Sequence, residues 1–285
     1  MSFIVDAFEP AFMQRALIGS LLAIVASSLV GTWVVLRGLA FLGDALAHGV
    51  IPGIALAVLF GYNLFLGALV AAVVMTGLIT FVSNRTVISD DTSIGLLFVG
   101  MLSLGVVIVS TAGSFRTDVT AILFGDALGV SRSDVRNQFI ATAFVVICTV
   151  LLYRPFLAST FNETKAATLG MRPKLTQAAL LGLLSVSIVS SFQTIGTLLV
   201  FGLIVAPPAT ASLLVRRVVP IMLLSMALGA LAAIAGLLVS FHYGTAGGAT
   251  ISGLCVLEFF LVLVARLVKG RLGASNQNRR SEALV

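Results

Sequence analysis

Asp44 and His48 are the side chains of this sequence best suited to chemistry, and they lie four residues apart inside a long apolar stretch. Residues at positions i and i+4 share one face of an α-helix. A carboxylate oxygen and an imidazole nitrogen suit divalent first-row metals, with zinc, manganese and iron all acceptable. Ionisable groups at hydrocarbon depth are costly and usually mark an ion or substrate path. The pair therefore predicts a metal path on a membrane helix.

A second interpretation of the pair stays open, in which Asp44 caps the start of a helix and His48 is a satisfied polar group near the membrane surface. Against it, Pro52 and Gly53 follow directly and loosen the backbone at the same depth. Asp44 precedes Tyr62 by about 18 residues, or roughly 27 Å of helix. This spacing places Asp44 in the inner half of the membrane and His48 one turn closer to its centre.

The composition is that of an integral membrane protein. Of the 285 residues, 59% are hydrophobic and 10% are charged, whereas a soluble domain carries about 25% charged residues. Apolar segments of about 20 residues favour helical spans over barrel strands, which predicts an all-α, polytopic fold. We predict about nine spans, with eight as the alternative, at 13–36, 40–61, 63–83, 92–112, 135–155, 175–192, 194–214, 219–241 and 247–268.

The basic residues predict the orientation of the chain. With nine spans and the amino terminus outside, thirteen of the 17 Lys and Arg residues fall on the inner side, as the positive-inside rule expects. Their position in short loops between apolar segments argues against a nucleic-acid-binding surface. Residues 273–285, with Ser, Asn, Gln and Arg, are predicted to form a disordered cytoplasmic tail.

Three other polar residues are candidates for a secondary position on the path. Glu258 lies well inside a predicted span, where its alternative role is to pair with polar neighbours inside the bundle. His242 falls in an outer loop, and a surface role is its main alternative. Gln193 interrupts two apolar segments, and broken helices at membrane depth are where transporters place their pathways.

The sequence contains no P-loop, hydrolase, zinc-protease or C-x-x-C motif. We therefore expect that the chain is not an enzyme. If transport is powered by ATP, the ATPase must be a separate polypeptide.

Residues 34–57, VVLRGLAFLGDALAHGVIPGIALA, resemble the R-x-x-x-x-x-G-D-x-x-x-H-x-x-x-P-G signature of a known family. The family is that of the membrane permeases of bacterial ATP-binding-cassette importers for zinc and manganese. The similarity runs from about Phe12 to Arg266. Further matches, in the same order, are DTSIGLLF at 91–98, ILFGDALG at 122–129, QTIGTLLVFGLIVAPPATASLL at 193–214 and GGATISGL at 247–254.

The resemblance implies a single permease domain at 1–272 that forms a homodimer in the bacterial cytoplasmic (inner) membrane. Asp44 and His48 would then occur twice around a shared axis and line the path of the transported Zn²⁺ or Mn²⁺, with no permanently bound cofactor. The implied partners are two copies of an ATPase, an extracytoplasmic metal-binding protein and membrane lipid.

The segment 159–170, STFNETKAATLG, resembles the family's short cytoplasmic helix that docks on the ATPase. The residues themselves agree with a short helix, because Asn162 can cap its start and Gly170 can end it. An amphipathic helix lying on the membrane is the alternative. The predicted coupling residues are Asn162, Glu163, Ala166, Leu169 and Gly170.

Two rival functions remain open at this point. A permease of related architecture for iron chelates or cobalamin would need a wide cavity and no small-ion ligands, which the Asp44 and His48 pair argues against. An ion-gradient-driven metal carrier would work without an ATPase and would leave the segment 159–170 without a role.

Overall fold

The computed structural model describes residues 8–85, 90–111 and 130–282, and its regular elements there are helices without any strand. Hydrocarbon offers no hydrogen-bond partner to a bare backbone, and an α-helix satisfies its amides and carbonyls within one segment. The predicted all-α, polytopic fold is confirmed. The 122–129 sequence match lies outside the described residues.

Twelve helices are described, and we number them in chain order. They are α1 (Ala11–Leu36), α2 (Ala40–Gly49), α3 (Ile51–Leu59), α4 (Leu64–Arg85), α5 (Asp90–Thr111), α6 (Arg132–Leu151), α7 (Tyr153–Phe161), α8 (Glu163–Thr168), α9 (Pro173–Ile195), α10 (Thr197–Leu214), α11 (Val218–Tyr243) and α12 (Gly247–Glu282).

Eight helical stretches of the described residues are long and apolar enough to cross a membrane, and Val200–Leu214 is a shorter apolar helix. The predicted segments 175–192 and 194–214 correspond to α9 and α10, which meet at Gly196. The predicted span 40–61 corresponds to α2 and α3 in series, which are separated at Val50. The sequence thus located the spans, while the division of one of them into two helices is a finding of the structure.

The carboxyl-terminal helix α12 extends to Glu282. It therefore continues into the segment 273–285, for which the sequence predicts a disordered tail. That tail and the domain boundary at residue 272 stay predictions.

The core of the described bundle is built around α1. This helix packs against α6, α9, α10 and α11, and its small residues, including Ser20, Ala23 and Ser27, are fully buried. Small side chains let helices approach closely where lipid provides no hydrophobic drive for helices to associate. Beside this core, α2 packs on α5 and α10, and α3 packs on α4 and α5. Helix α2, which carries Asp44 and His48, is thus held mainly by α5 and α10.

The close approach of α3 to α4 depends on two facing glycines. A Cβ added to Gly53 would clash with the carbonyl oxygen of Gly67, and a Cβ added to Gly67 would clash with the carbonyl oxygen of Gly53. Because both clashes are with backbone atoms, a flexible side chain cannot relieve them. The two glycines therefore fix how tightly α3 sits on its neighbour.

We predict that Gly53→Ala destabilises the protein even though alanine favours helix by about 1 kcal/mol over glycine. The overpacking should cost about 1–3 kcal/mol, because a backbone would have to move. Gly77→Ala in α4 is the matched control, since a Cβ there meets nothing within 4 Å. Thermal unfolding in detergent should show a lower Tm for Gly53→Ala and an unchanged or higher Tm for the control. Equal Tm values would contradict the importance of this contact.

Candidate functional site

The structure places Asp44 and His48 one turn apart on α2, with their functional atoms facing each other. His48 Nε2 lies 3.6 Å from Asp44 Oδ1, and the two side chains are 20% and 32% exposed, respectively. This separation is too long for a good hydrogen bond. With metal–ligand distances of about 2.1 Å, two donors this far apart can bind one ion at an angle of about 115°. The pair is therefore mostly enclosed yet reachable, and its geometry suits a shared cation.

The structure argues against a purely structural role for either residue. Asp44 is the fifth residue of α2, whose N-cap is Leu39 and has no side-chain cap. His48 Nδ1 is buried without a hydrogen-bond partner, so the imidazole is not a satisfied polar group. A buried polar atom without a partner is uncommon in folded proteins and points to a functional constraint.

Aromatic packing holds the His48 ring in place. The Phe98 ring of α5 meets the imidazole edge-on with 5.3 Å between ring centroids, and Phe41 packs on Phe98 with 6.1 Å between centroids. This contact fixes the ring without using either nitrogen. Sequence reasoning did not single out Phe98, although the 91–98 match ends on it.

The backbone is interrupted immediately after His48. α2 ends at Gly49, Val50 separates the two helices, and Pro52 occupies the first turn of α3. Proline has no N–H, so Pro52 cannot donate to the carbonyl of His48 as a residue four positions later normally would. The helix that carries the pair is consequently a short segment whose end coincides with the candidate site.

A single copy of the chain brings two candidate metal ligands, Asp44 and His48, together. Among residues 8–85, 90–111 and 130–282, no group of three or more His, Cys, Asp or Glu side chains could hold an ion together. Divalent metals take four to six or more ligands. An ion held by Asp44 and His48 would therefore need further ligands from outside this pair.

The other polar candidates are not grouped with this pair by the structure. Glu258 lies on α12, whose main neighbours are α10 and α11, and its Oε2 is buried without a hydrogen-bond partner. His242 is exposed in the last turn of α11, where Nδ1 bonds with the carbonyl oxygen of Leu238 at 2.9 Å. Gln193 lies in α9, and its side chain is outside the described part of the chain.

The predicted short helix of segment 159–170 is present as α8. The Lys165 amide donates to Asn162 Oδ1 at 2.9 Å, which caps the helix start, and Gly170 follows with a φ of 75°. Its predicted apolar face is divided, because Ala166 is fully buried on its own chain while Leu169 is 70% exposed. Of these two apolar side chains, Leu169 is therefore the one that a partner can reach.

A long-range contact near α8 escaped the sequence analysis. Arg37, which follows α1, donates from Nε to Thr160 Oγ1 of α7 at 3.0 Å. Trp33 of α1 packs on Tyr153 and Phe156 with ring centroids 5.6 Å apart in both cases. Nothing in the local sequence indicates such pairing, because the partners are more than 100 positions apart.

A multi-span, all-helical chain with a ligand pair inside a span and a short capped helix at the end of the bundle has the architecture of a transporter permease. Residues 9–266 match the model of the ABC 3 transport family, and the chain belongs to this family. It is accordingly a transporter subunit and not an enzyme, with ATP hydrolysis carried out by a separate subunit.

Individual relatives cover nearly the whole chain. The manganese transport system membrane protein MntC of Listeria monocytogenes is 34% identical over 272 residues, which covers 95% of this chain and 97% of that protein. The manganese import system permease protein ScaB of Streptococcus parasanguinis is 37% identical over 251 residues, with 88% and 89% covered. The solved structure of PsaBC from Streptococcus pneumoniae in complex with Fab superposes with a TM-score of 0.82 at 30% identity, covering 91% of this chain and 94% of that one.

Because Ala166 is buried and Leu169 is exposed, we predict that substitutions at these two positions differ in their effect on stability. Ala166→Glu should lower the Tm in detergent, because it forces a charged side chain into a fully buried position. Leu169→Asp should change the free energy of unfolding by no more than about 0.5 kcal/mol, as is usual for exposed positions, and should therefore leave the Tm nearly unchanged. A large loss of stability in Leu169→Asp would show that this side chain packs on its own chain.

Proposed function

We propose that this chain is the permease subunit of a manganese importer in which Asp44 and His48 line the metal path. The observation that carries the proposal is the facing carboxylate and imidazole, 3.6 Å apart inside a membrane span. The names of the MntC and ScaB relatives supply the metal. The permease would lower the barrier for the ion by replacing part of its hydration shell with these two ligands.

A homodimer accounts for the ligands that one copy lacks. Two copies arranged around a shared axis would offer two carboxylates and two imidazoles to one ion. Four donors, or up to six when the carboxylates bind through both oxygens, fall within the coordination numbers of manganese and zinc. The absence of sulfur ligands from the pair argues against a soft ion such as Cu(I).

The energy source and the partners follow from the family. Two copies of an ATPase would bind where α8 exposes Leu169, beside a groove of about 720 Å³ between α8 and the start of α9. An extracytoplasmic metal-binding protein would deliver the ion to the opposite end of the bundle. ATP-driven closure of the ATPase pair would rock the helices and alternate access to the pair.

The orientation that we propose has the amino terminus outside and the carboxyl terminus in the cytoplasm of a bacterium, across the inner membrane. It is supported by the thirteen of 17 Lys and Arg residues that this arrangement places inside. It also puts α8 on the ATP-containing side. The two rivals, a gradient-driven carrier and a permease for iron chelates or cobalamin, are not favoured, because each leaves either α8 or the ligand pair without a role.

We predict that Asp44→Asn and His48→Gln each reduce manganese uptake by about 10- to 100-fold, because each removes one ligand from each copy. The measurement is uptake of radioactive manganese by proteoliposomes that contain the permease with its ATPase and metal-binding protein. His242→Gln is the matched control for the histidine, since His242 is exposed and lies on α11. It should retain wild-type uptake.

The same vesicles separate manganese from zinc. Preferential uptake of manganese supports the proposal in full. Preferential uptake of zinc that is lost in Asp44→Asn would show that the transported metal is zinc, while the proposed path through Asp44 would stand. Normal uptake in both ligand variants, at normal protein levels, would refute the path itself.

A further prediction concerns the ATPase. Leu169→Asp should weaken co-purification of the ATPase with the permease, because it introduces a charge where an exposed apolar side chain is available for docking. Lys174→Gln, a polar substitution beside the groove, serves as a milder comparison. Full recovery of the ATPase with Leu169→Asp would show that docking occurs elsewhere.

A further inference from the structure

Arg37 forms a polar bridge between the segment α7–α8 and the start of the metal-bearing helix. Its Nε donates to Thr160 Oγ1 at 3.0 Å, and the same hydroxyl donates to the carbonyl oxygen of Phe156 at 2.7 Å. The Thr160 hydroxyl is thus oriented by its own helix. Such an oriented acceptor holds the guanidinium in one place.

A second donor of Arg37 remains available for another partner. Nη2 of the guanidinium is buried without a hydrogen-bond partner. Burial lowers the pKa of Arg37, while the carboxylate of Glu163 raises it. Glu163 occupies the first turn of α8, so the guanidinium feels the charge of α8 while its hydrogen bond goes to α7. A small movement of α8 could bring the Glu163 carboxylate to the unpaired nitrogen.

The aromatic side chains next to Arg37 make this junction stiff. Trp33 and Phe156 are both fully buried, and Trp33 contacts Phe156 and Tyr153 at 5.6 Å between ring centroids. Large interlocked rings transmit a displacement rather than absorb it. The end of α1 and the start of α7 therefore move together.

Arg37 is also close in sequence to α2, which is bounded by Gly38 before it and by Val50 after it. Gly38 has a φ of 69°, a conformation that side-chain-bearing residues rarely adopt, and α2 starts two residues later. Val50 separates α2 from α3. Helix α2, with Asp44 and His48, is consequently a ten-residue segment bounded by Gly38 and Val50, and a displacement of Arg37 would reach it at its first end.

We propose that Arg37 is a positioning residue that couples movement of α7–α8 to the orientation of Asp44 and His48. The inference rests on the proposed function, because it assumes that an ATPase moves α8 and that α2 carries the metal ligands. In this arrangement the Thr160 contact holds Arg37 on α7, and movement of α8 would bring the carboxylate of Glu163, in the first turn of that helix, to the unpaired Nη2. Arg37 itself touches neither the metal nor the ATPase.

The test compares transport with ATP hydrolysis in the same vesicles. The complete complex of permease, ATPase and metal-binding protein is reconstituted with wild-type permease, Arg37→Gln, Arg37→Lys or Arg266→Gln. We expect Arg37→Gln to lower the manganese transported per ATP hydrolysed by about tenfold, with ATPase co-purification and Tm unchanged. Arg37→Lys should restore part of the ratio, because it retains the charge and can donate hydrogen bonds but lacks the planar guanidinium fork. Arg266→Gln removes an exposed cytoplasmic-end arginine from α12 and should behave as wild type.

A double-variant cycle tests the partners. Glu163→Gln and Thr160→Val should each lower the same ratio, and adding either to Arg37→Gln should cause no further loss, because residues of one link are not additive. If Arg37→Gln transports as much manganese per ATP hydrolysed as the wild type, the inference is overturned. It is also overturned if the Tm and ATPase binding fall together with this ratio, because Arg37 would then have only a structural role. Absence of manganese uptake in the wild-type complex would instead overturn the proposed function.

Discussion

The central physical constraint on this protein is that a carboxylate and an imidazole lie inside an environment that cannot solvate them. Hydrocarbon provides neither hydrogen bonds nor a high dielectric constant, so polar groups there need a partner in the chain, a water molecule or an ion. The backbone meets this constraint by forming helices throughout the described residues. His48 Nδ1 does not meet it, and Asp44 Oδ1 lies 3.6 Å from His48 Nε2, which is too long for a good hydrogen bond. The pair is costly unless a cation visits it.

The local fold is arranged so that this pair can be both held and moved. Phe98 holds the imidazole by ring packing, and His48 Nε2 faces Asp44. The interruption at Val50 and Pro52 separates α2 from α3, while Gly53 and Gly67 anchor α3 tightly on α4. Helix α3 is thereby packed tightly on α4, whereas α2, which carries Asp44 and His48, ends before Val50. A continuous helix could not combine these two properties.

The sequence predicted those features that depend on local chemistry. Asp44 and His48 were identifiable because charged groups are rare in an apolar chain, and α8 was identifiable from Asn162 and Gly170 at its two ends. The spans followed from apolar length alone. In each case the signal lies within about 20 residues of the feature, which is the length of one membrane helix.

Features that depend on tertiary packing were not predictable in this way. Ala166 and Leu169 have similar apolar character in the sequence, yet the first is fully buried on its own chain and the second is 70% exposed. The contact between Arg37 and Thr160 joins residues 123 positions apart, so no periodicity or cap signal announces it. Both features concern the attachment of α7 and α8 to the bundle, because α8 packs on α7 and α9 and Arg37 ties α7 to the end of α1.

A site whose ligands are shared between two copies has a property that a complete site within one chain lacks. In the homodimer that we propose, the affinity for the ion would depend on the distance between the two copies of α2, because each copy would contribute half of the donors. Conduction requires that an ion bind well enough to lose water and weakly enough to leave. Turning or separating the two α2 helices would convert a full coordination shell into two incomplete ones without changing any ligand. The distance between the two α2 helices would then determine both the selectivity for the ion and its release. The ATPase would need to move only these two short helices to control both.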